Sequence, residues 1–580
     1  MTKKEILLFF ILSGLCSWMW FLPAFWTLAD GTQTYTQALY SIFFSTQERE
    51  MLYGDTLDLQ GTIWVFHHFD RIASGEASSI LPEIYAPFGF DIGKHTGFGW
   101  GDALLSWPII KALGTPGFYN LHVFITVLLS YWGAMMLFRV ASASRLISIA
   151  LAFSCCTTTF FRQELLGGRP SQIHWFFHCL FLIAIIKLLK KKPSLHWGIL
   201  GGLFGTWACF VYWFGGAAIG FCGALALMIS IPFKKHKLKR TALGLLVGLI
   251  TVIIGIAVTA RISIPIIMGE GEQLYTAMQT PPASIIDLGL FTIPIQEFIP
   301  SYTNDQFLQI MARSMIPYEI LRIAFFCLLI PFAWSKRIVW LLVGIIAIGI
   351  PIGPALQWEG GWIPTGYALL HSVFPPIVRC GFNHRMIVAP VLILGVFAAY
   401  SSTALLNKIP SKTLKSVLSF LFALLIAAPS YKELPNYLSY KTSHIAIDRD
   451  LIRYTQKYPG GIIHIPIESS GGGEHIQQMF HKQPILNGPG MDIVREKEHQ
   501  EYCANNSILN AMEYMTKFDI SSTPLHEKSD LYKLYNDGFR FFYIEKQRVK
   551  STKEDFLRLL DTAVAYESRQ FIMIPIPKPQ

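Results

Sequence analysis

Long apolar stretches recur from Glu5 to about Pro429, broken by short polar gaps. A helix that crosses the hydrocarbon core of a bilayer needs about 20 mostly apolar residues. The pattern predicts spans at Ile6–Leu28, Phe118–Phe138, Leu146–Phe161, Ile173–Leu189, His196–Val211, Phe214–Pro232, Ala242–Ile262, Ile320–Trp334, Ile338–Ile352, Met386–Leu405 and Leu414–Ala428. The run from His196 to Pro232 is too long for one span, and Tyr212-Trp213 in its middle marks an interfacial turn. After about Tyr431 the apolar runs shorten to strand length, at Gly461–Ile467, Phe539–Ile544 and Phe571–Ile576. Helical patterns at Ile447–Lys457 and Lys553–Leu560 lie among them, so a small mixed α/β unit is expected.

Charge orients this chain. The gaps Lys3-Lys4, Arg139 to Arg145, Lys187 to Lys192, Lys234 to Arg240, Lys336-Arg337 and Lys408 to Lys415 carry basic residues almost alone. Glu5 is the only carboxylate in or beside them. Cytoplasmic loops collect Lys and Arg, so these gaps are expected inside, with the N-terminus. The alternate gaps are then outer: 29–98, the short Arg162–Gln172 segment, 265–317 and 353–385. The first is roughly 70 residues, far beyond an ordinary connection. It holds an amphipathic helix at Leu59–Ala73, with His67 and His68 expected at the membrane interface. An odd number of spans leaves the C-terminal unit outside.

The expected architecture is a polytopic α-helical membrane protein of about 11 transmembrane helices over residues 1–430. A C-terminal extracytoplasmic α/β domain follows over 431–580. Composition agrees: 52% of the 580 residues are hydrophobic and 15% charged, which excludes a soluble globular chain. Much of the net charge of +10 sits in the basic gaps, so it argues for membrane lipids as partners and against nucleic acid. The basic start and long first apolar segment are expected to be a retained anchor in the cytoplasmic (inner) membrane. Seven of the nine Cys lie in apolar runs, and none of the spacings is that of a metal site. No Lys-Ser/Thr follows the glycine-rich Ser469–Gly473, so a plain turn is expected there rather than a phosphate-binding loop.

Candidate chemistry gathers in the outer segments. Asp55 and Asp58 both sit just before a helix, Tyr53-Gly54-Asp55-Thr56-Leu57-Asp58. An acid there is either a cap or dipole partner, or a general base or metal ligand near the membrane surface. Arg162, Arg169, Arg379 and Arg385 fall on the outer side against the basic-inside bias. The planar guanidinium fork suits phosphate, and snorkelling or pairing with Glu164 or Glu359 is the plain alternative. His174 and His178 share one helix face without the acid of a zinc motif between them. They are expected either to be buried and hydrogen-bonded or, for His174, to contact a sugar or phosphate. Glu297 is a weaker substrate-contact candidate, and Trp358, Trp362 and Phe374 would stack on a sugar or line an interfacial belt.

The order of these features resembles the GT-C superfamily of integral membrane glycosyltransferases. The residues that carry it are the early Asp55, the Trp64 helix, Tyr85-Ala86-Pro87-Phe88-Gly89, Tyr119-Asn120, Phe160-Phe161-Arg162 through Gln172, and Arg379 to Arg385. Ile462 to Pro466 followed by Pro484 to Gly488 resembles the family's outer domain. The resemblance implies transfer of a sugar from a polyprenyl-phosphate-linked donor to a glycan, lipid or protein acceptor of the envelope, at the outer face. It implies an outer acid, Asp55 or Asp58, that activates the acceptor hydroxyl or binds a divalent cation such as Mg or Mn. Arg379 and Arg385, with His384 between them, would hold the donor phosphate. A catalytically inactive scaffold in envelope biogenesis and a lipid or glycolipid transporter are the alternatives. The spans are nearly free of ionisable residues and the halves do not repeat, which weighs against a transporter.

Overall fold

A computed structural model of the chain describes residues 1–30, 43, 51–54, 57–92, 100–115, 117–141, 144–189, 194–230, 243, 246–254, 334–353, 355–358, 361–375, 377, 383–437, 442–444, 449–467, 473–488, 497–518, 527–569 and 571–579. Asp55, Glu297, Arg379, the expected span Ile320–Trp334 but for its last residue, and most of Ala242–Ile262 lie outside them.

The first half is a helical bundle. In chain order its helices are α1 (Lys3–Asp30), α2 (Leu57–Ala73), α3 (Trp100–Leu113), α4 (Tyr119–Val140), α5 (Arg145–Cys155), α6 (Thr159–Leu166), α7 (Pro170–Ile173), α8 (Phe176–Leu188), α9 (Leu195–Val211) and α10 (Trp213–Ser230). After the third long segment come α11 (Trp334–Ile352), α12 (Gly366–Val373), a short 3-10 turn (Asn383–Met386), α13 (Val388–Leu406) and α14 (Lys412–Tyr437). Among the described residues five helices are long and apolar enough to cross a membrane, six if one bent pair is a single span. That pair corrects the expected continuous span at 146–161. Thr158 caps a new helix there, its hydroxyl accepting from the Phe161 N–H, so the chain turns by 54° between α5 and α6. Helix α13 is buried along almost its whole length and packs on α4, α5, α10 and α11, which makes it the axis of the bundle.

Glu5, the odd carboxylate in the basic gaps, has a structural explanation. It is buried and accepts from Arg145 Nε (2.8 Å) and from Arg139 Nη2 (3.1 Å), tying the start of α1 to the end of α4 and the start of α5.

The C-terminal unit is a four-stranded sheet of β7 (Gly461–Ile465), β8 (Phe539–Glu545), β9 (Tyr566–Glu567) and β10 (Phe571–Pro575), in the order β7-β8-β10-β9. Strands β7 and β8 are parallel, so the crossover between them must be long. It carries α16 (Gly473–His481), α17 (Lys497–Ala504), α18 (Ser507–Lys517) and α19 (Lys528–Asn536). Helix α15 (Arg449–Lys457) precedes the sheet, and α20 (Lys553–Leu560) lies between β8 and β9. Alternation along the strands gives the sheet two apolar faces. Ile463, Ile465, Phe542, Ile544, Ile572 and Ile574 belong to a local core. Ile462, Phe541, Tyr543, Phe571 and Met573 belong instead to the core that runs continuously into the helical bundle.

Two backbone pairings make that continuity. β1 (Met51–Tyr53), in the first long loop, pairs antiparallel with β6 (Thr442–His444), and between them in the chain lie two antiparallel pairs, β2 (Ile80–Leu81) with β3 (Phe90–Asp91) and β4 (Ala355–Trp358) with β5 (Gly361–Pro364). Further on, the Ile485 N–H donates to Glu83 O (2.8 Å) and the Ala86 N–H to Ile485 O (3.0 Å), while Ile485 also bridges Ile462 of β7. The Tyr85 ring lies flat on Gly488, where an added Cβ would stand 2.0 Å from the ring, so only glycine fits. His499 and Tyr502 close over Tyr85 and Phe88.

Candidate functional site

Helix α2 starts at the end of the bundle that carries the first loop. Its sequence has apolar residues on the side facing the core, and Leu59, Ile63, Trp64 and Phe66 are buried. Its first turn therefore presents Asp58 away from the core, with a side chain 41% exposed. The second loop is folded onto this turn. The Thr62 hydroxyl donates to Gly168 O (2.7 Å), and an added Cβ on Gly168 would stand 2.4 Å from Leu59 Cα. Gly168 also has φ near +73°, so the close approach and the backbone both require glycine.

That approach brings Arg169 to Asp58. Arg169 Nη1 donates to Asp58 Oδ2 at 2.5 Å, while its Nε and Nη2 both donate to Glu164, the latter at 3.1 Å. Glu164 is nearly fully buried. Asp58 thus meets a guanidinium group, that of Arg169, with Glu164 at its back, and the Arg169–Glu164 pairing is the plain alternative to phosphate binding named above. Both carboxylates are turned onto the arginine, and among the described residues no three metal-ligating side chains are grouped as a metal ion requires.

A second cluster was not singled out from the sequence. Asp102, in the first turn of α3, is completely buried. His174 Nδ1 lies 2.9 Å from Asp102 Oδ1, and His122 Nε2 lies 3.2 Å from Oδ2. Ser106, one turn along α3, is 2.5 Å from His122 Nδ1. Burial alone would raise the Asp102 carboxyl, but the two imidazoles outweigh it and hold the group below the usual carboxylate range. An acid at the head of an apolar helix, within about 20 residues of a histidine in the next, was the signal available for this cluster.

Other expected residues are distributed as follows. Arg162 is half-buried on α6. Arg385 is half-buried in the 3-10 turn, which packs against α10 and α11; His384 is described there in backbone only. His178 is buried one turn after His174. His68 corrects the interfacial expectation: it is fully buried, its ring tilted against Trp64 with centres 4.4 Å apart, because α16 of the C-terminal unit covers α2. Phe374 packs edge-on against Trp213 (5.8 Å).

Those two rings stand at one end of an apolar cavity of about 500 Å³. Its floor is glycine, Gly198, Gly201, Gly202 and Gly205 of α9 and Gly216 and Gly220 of α10, and aromatic rings form its walls. Glycines here remove side chains that would otherwise fill the space between helices.

No family model matches the sequence, and no curated protein matches it. Solved structures do. Against the arabinofuranosyltransferase AftD from mycobacteria the TM-score is 0.58 at 11% identity, covering 100% of this chain and 40% of that one. Against the oligosaccharyltransferase of Archaeoglobus fulgidus in the apo form it is 0.50 at 11% identity, covering 94% of this chain and 70% of that one. The chain thus spans well under half the length of the arabinofuranosyltransferase it matches. With its membrane-spanning bundle, long first loop over the bundle end and appended α/β unit, this chain has the fold of the GT-C membrane glycosyltransferases.

Proposed function

We propose that this protein transfers a sugar from a polyprenyl-phosphate-linked donor to an envelope acceptor at the outer face of the cytoplasmic membrane. The observation that carries the reading is Asp58, a half-exposed carboxylate held against Arg169 at one end of an apolar bundle that also contains a lipid-sized cavity. The donor's prenyl chain occupies the cavity, whose lining is almost wholly apolar. Arg385, on the turn packed against α10, is within the same part of the bundle as Trp213 and serves the phosphate, together with His384 and Arg379.

In the transfer the acceptor oxygen attacks the anomeric carbon and the bond from that carbon to the phosphate oxygen breaks. Polyprenyl phosphate leaves with the electron pair. The acceptor's proton passes to a carboxylate, Asp55 or Asp58. Arg162, His174 and Glu297 contact the substrate, and a divalent cation taking part would be held at Asp55, because Asp58 and Glu164 are engaged by Arg169. That engagement favours one second reading, an inactive scaffold of envelope assembly.

The test is the pair of variants Asp55→Asn and Asp58→Asn in cells where deletion of the protein alters envelope glycan. Loss of the glycan with normal protein level in either variant supports transfer. Unchanged glycan in the double variant refutes the acid's role and leaves the scaffold.

A further inference from the structure

In the buried Asp102 cluster, His174 Nε2 has neither a hydrogen-bond nor an ion-pair partner among the described residues. Asp102 is acceptor-only as a carboxylate, so the His174 Nδ1 that faces it at 2.9 Å carries the proton. With a single proton on the ring, the other nitrogen, His174 Nε2, is an acceptor. It belongs to a side chain only about 3% exposed and has no hydrogen-bond partner among the described residues. A buried polar atom left in that state costs about 1–3 kcal/mol, so a polar group belongs beside it.

The location bears on which group. Gly101, next to Asp102, packs so tightly on α9 that an added Cβ would lie 2.7 Å from Phe210 Cβ. Phe210 lines the apolar cavity. One turn beyond His174, His178 Nε2 lies 3.1 Å from where a Cβ on Gly215 would stand, and the adjacent Gly216 also lines the cavity. Helices α3 and α8, which carry Asp102 and His178, therefore meet the cavity-lining helices α9 and α10 at two close backbone approaches. Charge selects the ligand chemistry. The Asp102 carboxylate behind the ring disfavours an anion at Nε2 and favours a neutral donor such as a hydroxyl.

We propose that His174 Nε2, oriented by Asp102, accepts a hydrogen bond from a hydroxyl of the sugar on the lipid-linked donor, with Asp102 as a positioning residue. The inference rests on the transferase reading above and assigns the sugar's subsite within it.

The test uses the full-length protein in lipid nanodiscs and three probes: bare undecaprenyl phosphate, and the same lipid carrying a pentose or a hexose. Wild type should bind at least one sugar-bearing lipid more tightly than the bare lipid. His174→Phe and Asp102→Leu should reduce that preference about tenfold or more and leave affinity for the bare lipid unchanged. Asp102→Asn, whose amide oxygen still accepts from Nδ1, should keep most of it. Nitrogen-15 histidine spectra of wild type give a readout independent of variant folding: the His174 Nε2 signal should shift with the preferred sugar-bearing lipid and not with the bare one. An equal shift with the bare lipid overturns the proposal in favour of a phosphate site, and no shift with any probe overturns it in favour of a resident water. If wild type shows no preference for any sugar-bearing lipid, the transferase reading itself fails and this inference falls with it.

Discussion

Arg169→Ala is the most informative perturbation of the site, because the three groups in its network differ so much in burial. The Glu164 side chain is 3% exposed and places both oxygens on the Arg169 guanidinium; the Asp58 side chain is 41% exposed and uses one. Removing one partner of a buried ion pair strands the other charge, at about 3–5 kcal/mol, whereas an exposed pair contributes about 0–1 kcal/mol. Nearly all the loss in Arg169→Ala should therefore come from Glu164. The check is a double-mutant cycle on reversible unfolding in mixed detergent micelles. Arg169→Ala should destabilise by about 3–5 kcal/mol, and Glu164→Gln in that background should recover on the order of 2 kcal/mol. Asp58→Asn should change stability by under about 1 kcal/mol. The reasoning is refuted if Asp58→Asn destabilises as much as Arg169→Ala, or if Glu164→Gln gives no recovery. Arg169→Lys should fall between, since an ammonium keeps the charge but not the fork.

Three other outcomes follow from the packing. His481, at the end of α16, is buried and its imidazole is pushed down to about 3 by desolvation. Its folded pKa lies below the unfolded value, so stability is complete above about pH 6.5 and falls as pH drops towards 3. At pH 5 the loss is about 2 kcal/mol, read as faster hydrogen exchange in α16 and α2, and His481→Gln should flatten that dependence. Gly488→Ala drives a methyl group into the Tyr85 ring and should destabilise by about 1–3 kcal/mol, with limited proteolysis reporting release of the C-terminal unit; adding Tyr85→Leu should relieve it. Gly220→Leu enters open space in the apolar cavity, so the protein should fold normally while its affinity for undecaprenyl phosphate falls at least tenfold.

Much of the fold was legible because its signals are local. Span position depends on twenty-residue apolar runs, and helices occupy nine of the eleven expected positions among the described residues, one of them broken at Thr158. The C-terminal strands fall within two residues of their expected ends for the same reason. The site was legible in part. Asp58 and the outer arginines stood out by sign and location, but which arginine meets the acid depended on Gly168 letting loop two lie on α2, and glycine spacing carries no record of its partner.

The sequence by itself determined a membrane-spanning helical chain followed by an α/β unit, because hydropathy acts residue by residue along the chain. Only the tertiary structure decided that Tyr85 and Gly488, about four hundred residues apart, form one interface, and that Asp102, His122 and His174 converge. Such meetings are set by backbone approach and the satisfaction of buried polar groups, which exist only once distant segments are packed together.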